Sequence, residues 1–412
     1  MAFGRICLQT GIGVACVVVK NEGSVFYRAA RGDLKRGKFL SRPNRFIVTC
    51  VTDSGIVSAY LPNPGRLWEL LLPGVPVLLE KAGEGPNRNT GYTVLAVETE
   101  RGPVMLHTHR TNDVAERLFG EGLIPGWEKA RVAKRETTCG RSRFDFLLEL
   151  PEGSVPAEVK SCTLFGNTLA MFPDAPSERA RRHILHLAEI GRTGPRPLVL
   201  FLVQSGNMKY FLPDFHTDFE FARALYEARN HVDIKAVGIE WSPCLEMKRA
   251  PCELDLPWHI FERHGIDGGA YLLLLKLDKS RSVSTGSLGE IEFPSGHYCY
   301  VGSARRNLKS RMARHLRRRK NFHWHIDYLR EHCEVKVCIP VRSAEDLECS
   351  LASAVGDIAE NSVHGFGSSD CSCGSHLFRF SSDPLKNRNF VKILIDFRIN
   401  RLVAEKKPGQ GA

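Results

Sequence analysis

The stretch Arg141–Leu164, RSRFDFLLELPEGSVPAEVKSCTL, decides how the middle of this chain is read. Two apolar runs, Phe144–Leu150 and Val155–Leu164, flank a Pro-Glu-Gly-Ser break, the pattern of a strand, a turn and a returning strand. Side chains alternate along a strand, so Glu158 and Lys160 point to one face. A turn at Pro151–Ser154 pairs Leu150 with Val155, Leu147 with Glu158 and Asp145 with Lys160. Two acids and a lysine then share one face of an otherwise apolar strand pair. Carboxylates packed this closely are costly unless a cation joins them. Mg²⁺, or Mn²⁺ in its place, takes oxygen ligands and keeps waters for a phosphate. Asp145 and Glu158 are therefore the candidate metal ligands, and Lys160 could position a water or offset transition-state charge. A cross-hairpin salt bridge among three structural residues is the bland alternative.

At 412 residues the chain has room for two or three cores. Apolar residues make up 43% and charged residues 25%, which excludes disorder along its whole length. A net charge of +11 points to a polyanion, nucleic acid ahead of an anionic membrane surface, although a merely basic soluble protein reads the same way. The apolar run Gly11–Val19 is too short to span a bilayer, and no cleavage site follows it. With 13 scattered cysteines, a reducing cytoplasm and free thiols are expected, without a membrane partner.

Residues 1–38 show no clear period and are expected to form an extension. From 39 to 112, Phe46–Val51, Val57–Leu61, Val75–Glu80, Tyr92–Val97 and Val104–His107 read as five short strands, economically an OB-fold barrel. From 113 to 245 the pattern is mixed. Val114–Phe119, Ser177–Ile190 and Phe219–Arg229 suggest helices, and Leu198–Val203 suggests a buried strand. The Pro- and charge-rich residues 246–267 read as a linker. A third unit at 268–381 shows strands Tyr271–Leu277 and Tyr298–Val301, a basic helix from about Leu308 to Lys320, and a helix Asp346–Ala359. Residues 382–412 are expected to form a loose basic tail. The fold class is α+β multidomain.

Asp145 with Glu158-x-Lys160 matches the D…(D/E)xK signature of PD-(D/E)XK nucleases. RPNRF (Arg42–Phe46), LPNPGRL (Leu61–Leu67), GRSRFDFLLEL (Gly140–Leu150), EVKSCTL (Glu158–Leu164) and FPDAPSERARRHILHL (Phe172–Leu187) together resemble, in order, the sugar fermentation stimulation protein (SfsA) family over about residues 39–240. That resemblance implies an N-terminal OB-fold barrel followed by a PD-(D/E)XK restriction-endonuclease-like α/β domain, with nucleic-acid binding as the shared property. Asp145, Glu158 and Lys160 fall on the family's acidic motif. Pro64 departs from it, standing where the family usually has a hydroxyl residue. Arg42, Arg45 and Arg66 are candidate phosphate contacts, and plain surface charge is the alternative. Arg179, Arg182 and His183 lie close together on one helix and could line the groove beside the metal, unless they form a solvated face.

Gly269 and Tyr271 stand in GAYLLLLKL, and Tyr300, Val301 and Gly302 in HYCYVGSA. A basic stretch follows with Arg305, Arg306, Lys309, Arg311, Arg314, Arg317, Arg318, Arg319 and Lys320. Such a helix repels itself unless a polyphosphate lies against it, and a solvated or disordered basic stretch is the alternative. These features resemble a C-terminal GIY-YIG-like α/β domain, of a divergent Uri-type subgroup that carries the GSLGEIEFPSG insertion and ends in GFGSSDCSCGSHLF. The resemblance implies that Tyr271 or Tyr300 assists deprotonation of water and that Arg311 stabilises the phosphate. It implies that Glu348 binds a divalent metal, with Arg305 and Arg314 on the nucleic acid. His315, one turn beyond Arg311, could help proton transfer. Cys371, Cys373 and His376 could hold Zn²⁺ with a fourth ligand such as Cys349 or His325. The C-x-C spacing is atypical, however, and favours free thiols in a packed turn.

The expected activity is metal-dependent hydrolysis of DNA or RNA at two sites. The alternative is a non-catalytic, largely sequence-nonspecific DNA-binding regulator of sugar (maltose) metabolism.

Overall fold

Alternating burial closes the first sheet of the structure, a computed structural model that describes residues 25–82, 90–317 and 321–404, and the backbone of Arg5–Gln9 and Val14–Val18. The chain divides into two compact units, Met1–Pro213 with Ala224–Leu256, and Asp214–Arg223 with Pro257–Ala412.

The barrel uses β1 (Leu34–Asn44), β2 (Ile47–Thr52), β3 (Gly55–Tyr60), β4 (Pro76–Lys81) and β5 (Tyr92–Thr99). β1 pairs with both β2 and β4, β5 pairs with β4, and a parallel β3–β5 contact closes the ring. Phe39, Val48, Cys50, Ala59, Val77, Leu79 and Val94 fill it. This is the expected OB barrel with one strand exchanged. Its first strand begins at Leu34, inside the stretch expected to be an extension, and Gly102–Met105 (β6) only extends β5 outside the ring. β1 escaped notice because its polar sequence buries only Gly37 and Phe39 inwardly. A side chain at Gly37 would press on Leu79 and Val51 at 3.2 Å, so glycine lets the barrel wall close there.

Arg42, a candidate phosphate contact, is engaged within the fold. Its guanidinium donates to the carbonyls of Gly65 (2.6 Å), Arg66 (3.0 Å), Arg45 (2.6 Å) and Asn63 (2.9 Å), clamping the LPNPGRL turn. Asn63 completes that turn, accepting from Gly65 N and donating to Leu106 O.

The central domain runs α1 (Thr111–Gly120), β7 (Arg131–Cys139), β8 (Ser142–Leu150), β9 (Gly153–Cys162), α2 (Glu178–Gly191), β10 (Leu198–Val203), α3 (Phe219–Ala228), β11 (Asp233–Gly238) and β12 (Cys252–Glu253). The six strands lie in sequence order in one sheet, with β9, β10 and β11 parallel. All six residues of β10 are buried, as its unbroken apolar run requires. Val114, Leu118 and Phe119 of α1 share a core with Phe146, Leu148, Val155 and Val159. Ser177 caps α2 by accepting from Ala180 N. Residues 246–267, expected to form a linker, carry regular structure, and the division between the two units falls among them at Leu256–Pro257. Glu246–Met247 pairs with Tyr27–Arg28, β12 joins the sheet, and Trp258–His264 (α4) lies in the second unit.

The second unit is built on an antiparallel sheet. Its main strands are β13 (Gly269–Leu277), β16 (Gly296–Ala304), β17 (Glu334–Arg342) and β18 (Leu377–Phe380), in the order β17-β13-β16-β18, and the short strand Asn361–Ser362 pairs with β18 at the edge. The insertion is a hairpin, β14 (Arg281–Ser284) with β15 (Glu290–Phe293). Helices α5 (Leu308–Leu316), α6 (His325–Glu331) and α7 (Glu348–Gly356) complete the domain. The basic helix thus stops at Leu316; Arg318, Arg319 and Lys320 lie outside the described residues. The tail is not loose up to Ala404. Arg388–Ile395 (α8) and the turns after it bury Phe390, Leu394, Ile399 and Leu402. Among the described residues no helix is long and apolar enough to cross a membrane.

Arg42→Ala should lower the thermal midpoint of the full chain. Losing charge-assisted bonds of this kind costs about 2 kcal/mol, or roughly 4–8 °C for a unit of this size. Arg45→Ala, which removes an exposed side chain, should shift it by less than about 1 °C. Differential scanning fluorimetry distinguishes them, and equal shifts would sink the clamp.

Candidate functional site

The β8–β9 hairpin turns two residues tighter than expected, pairing Leu150 with Gly153 and Leu148 with Val155. A shift of two preserves the faces. Asp145, Glu158 and Lys160 therefore still converge, but continuing the register sets Asp145 opposite Glu158 rather than Lys160. Asp145 Oδ2 accepts from Val159 N at 2.8 Å, and Oδ1 accepts from Asn112 Nδ2 at 2.9 Å. Burial and the charge of Glu158 raise the Asp145 pKa, against Lys160 and these two donors. Glu158 is 2% exposed. Burial pushes its pKa up too, but the Lys160 charge and hydrogen bonds from His183 and Lys160 outweigh this and hold it below the ordinary value.

Both compensating groups use the same oxygen. Lys160 Nζ contacts Glu158 Oε1, and His183 Nδ1 lies 2.7 Å from it. Glu158 Oε2 is buried with no hydrogen-bond partner. An orphaned carboxylate oxygen beside a second carboxylate fits a divalent cation, which would satisfy the one and relieve the other. His183 belongs to this centre, buried at 7% exposure, and not to an open groove. Arg179 and Arg182 on α2 are exposed, as are Arg45 and Arg305, while Arg66 is half-buried with its guanidinium 4.9 Å over the Trp68 ring. Asn112 was not anticipated; nothing in its sequence context marks it except its place at the start of a helix.

An open cavity of about 530 Å³ lies where the barrel meets α1, lined by Arg31, Tyr60, Lys81, His107, His109 and Arg110 among others. Burial and the charges of Arg110 and His109 bring His107 down to about 4, so it is neutral at physiological pH.

In the second unit Tyr271 stands opposite Gly302 and Tyr300 opposite Leu273, which places both tyrosines on one face of β13–β16. A side chain at 302 would lie 2.5 Å from the Tyr271 hydroxyl, which is why the motif ends in glycine. The Tyr271 hydroxyl and His315 Nε2 are 2.7 Å apart. Burial raises both phenols, with Tyr300 raising Tyr271 further and Glu348 acting on both, while Arg311 opposes. Arg311 stacks over Trp324 at 4.2 Å, and Glu348 accepts from Ser303. Tyr271, Tyr300, Arg311, His315 and Glu348 thus gather. Arg314, a candidate phosphate contact, makes paired 2.9 Å bonds to the fully buried Asp327. Cys349, Cys371, Cys373 and His376 place one ligand atom each within 4.8 Å of one another. His325 lies apart from them, bonded to Ser287 and Gly367.

Residues 40–106 match the family model described as the SfsA N-terminal OB domain, 109–244 the Sugar fermentation stimulation protein RE domain, and 270–398 a Domain of unknown function, DUF123. A Sugar fermentation stimulation protein homolog from Methanothermobacter thermautotrophicus is 40% identical over 193 residues, 47% of this chain and 80% of the relative. One from Clostridium kluyveri is 37% identical over 206 residues, 50% of this chain and 89% of the relative. The solved structure described as Pyrococcus furiosus SfsA in complex with Ca²⁺ aligns with a TM-score of 0.52 at 30% identity, covering 57% of this chain and 99% of that one.

The two carboxylates should respond oppositely to removal of charge. A raised native pKa contributes stability below the unfolded value and loses it as pH rises through the native one; a depressed native pKa contributes above the unfolded value and loses it as pH falls. In chelator at pH 7–8, Asp145→Asn should therefore raise the thermal midpoint. The Asn112 amide can flip to suit the new side chain. Glu158→Gln should lower the midpoint; the Asp145 difference should shrink as pH falls through its raised native pKa, and the Glu158 difference only below pH 4.5. A destabilised Asp145→Asn protein would contradict the charge repulsion.

Proposed function

The chain belongs to the sugar fermentation stimulation protein family, and from that footing we propose that its central domain is a metal-dependent nuclease acting on DNA or RNA. The observation that carries this is the buried, unpartnered Glu158 Oε2 beside Asp145 and Lys160. The order helix, three antiparallel strands, helix, parallel strand, with acids on the second and third strands, supports the PD-(D/E)XK reading. The Pyrococcus furiosus relative is described with Ca²⁺, an oxygen-seeking divalent ion like Mg²⁺.

Asp145 and Glu158 would hold Mg²⁺ or Mn²⁺, which when bound supplies Lewis-acid charge to a phosphodiester and lowers the pKa of water. The protein's own groups do the positioning. His183 and Lys160 both take Glu158 Oε1 and leave Oε2 toward the ion. Val159 N and Asn112 keep the Asp145 carboxylate from rotating away. Lys160 remains one-fifth exposed, so its ammonium can meet a scissile phosphate or its attacking water. Arg179 and Arg182 offer phosphate contacts from α2, and the opening beside the barrel offers Lys81, His109 and Tyr60, its Arg110 and Arg31 being paired with Glu80 and Asp113.

In the C-terminal module Tyr271, Tyr300, Arg311, His315 and Glu348 form a second phosphodiester site of GIY-YIG type. Both phenols are held neutral, and Tyr271 can pass a proton through its contact with His315 rather than act as a phenolate. Arg311 brings positive charge to the phosphate, and Glu348 is the ligand for a divalent ion.

The full chain should cleave labelled single- or double-stranded DNA or RNA with Mg²⁺ or Mn²⁺ and stop on chelation. Asp145→Asn and Lys160→Met should each cut the central activity by about 100-fold or more while salt-dependent binding persists. Glu348→Gln reports on the second site separately. The relatives' name speaks of stimulating sugar fermentation, and the one other reading is a DNA-binding regulator of sugar metabolism. Tight binding with no product at any metal concentration would establish that reading instead.

A further inference from the structure

The second unit holds a cluster of soft ligands outside both proposed nuclease sites. Cys349 is the second residue of α7, while Cys371, Cys373 and His376 sit on the segment leading into β18. Their ligand atoms lie within 4.8 Å of one another, and Cys371 Sγ is 3.5 Å from His376 Nε2. A tetrahedral zinc ion, with bonds of about 2.3 Å to sulfur and about 2.0 Å to nitrogen, sets its ligands roughly 3.5–3.8 Å apart. The cluster already stands near that spacing.

We propose that Cys349, Cys371, Cys373 and His376 form a closed Cys₃His zinc site that pins the 363–376 loop to the start of α7. Three thiolates and one neutral imidazole fill the four positions, leaving none for substrate, so the site is structural. The loop gives it a purpose. Residues 363–376 form no helix or strand, and of their side chains Phe366 and the ligand His376 are the fully buried ones. Gly367 of this loop lies against Tyr300, where a side chain would come within 2.8 Å of the ring. His376 Nδ1 faces Glu348 Oε1 at 3.3 Å, off the line of a good hydrogen bond. With Nε2 on the metal, Nδ1 carries the proton and turns to Glu348, the carboxylate–histidine–metal arrangement that fixes a ligand's tautomer and orientation. Zinc would thereby hold both the loop over Tyr300 and the Glu348 carboxylate.

The test is metal content, independent of any nuclease activity. The untagged full chain, purified without chelator, should carry about one zinc ion per chain by inductively coupled plasma mass spectrometry. Cys371→Ser and Cys373→Ser should each lower that at least tenfold. Cys244→Ser, which changes an exposed cysteine outside the cluster, should not. Because a ligand variant can misfold, the wild-type chain loaded with Co²⁺ gives a second readout, the thiolate-to-cobalt charge-transfer and intense visible bands of a tetrahedral sulfur site. Zinc that persists in both cysteine variants but leaves with Glu158→Gln would assign it to the carboxylate centre and overturn the proposal. Absence of cobalt–thiolate bands, or a disulfide among these cysteines on mass mapping of the native chain, would overturn it equally.

Discussion

Like charges on neighbouring strands set the terms for the central domain. Asp145 and Glu158 are brought side by side by the β8–β9 pairing, in surroundings where water cannot screen them. Hydrophobic packing on the other side of the hairpin fixes that pairing: slipping it by one residue would turn Phe146 and Leu148 out of the core under α1. The protein lowers the cost unevenly. Glu158 receives Lys160 and His183 and stays ionised, whereas Asp145 receives neutral donors and is held toward protonation. One carboxylate oxygen is left with nothing. Such a centre is incomplete as a salt bridge and well suited to a cation.

The arginines divide by what they already bind. Arg42 and Arg314 belong to runs that look basic and accessible, yet one is occupied by four carbonyl oxygens and the other by the buried Asp327. Their guanidinium groups build loops. Arg45, Arg179, Arg182 and Arg305 are exposed and retain charge for a polyanion. A basic composition is therefore not spread evenly over function, and a residue's worth to a phosphate depends on whether its donors are already engaged.

In the second unit a glycine and two tyrosines solve one packing problem. Tyr271 reaches across the strand to His315 only because residue 302 lacks a side chain. The cost is two deeply buried phenols, held neutral across the physiological range. Glu348 links this face to the cysteine and histidine cluster through its contact with His376.

Much of this was legible in the amino-acid order. Strand period placed Glu158 and Lys160 on one face, the unbroken apolar run marked β10, and Ser177 marked the start of α2. Periodicity and turn chemistry are local, so they survive without coordinates. The order was silent where contacts come from afar. The strand at Leu34–Asn44 has a polar sequence and is defined by pairing with two others; residues 246–267 look like a linker until their short strands find Tyr27–Arg28 and Asp233–Gly238. Tertiary structure alone chose Asn112 and His183 as partners of the acids, engaged Arg42 with backbone carbonyls and Arg314 with Asp327, and brought Cys349 rather than His325 to Cys371, Cys373 and His376. The physical reason is the same throughout. Which way a side chain points is set by its neighbours along the chain, but what it meets there is decided by packing between segments far apart in sequence.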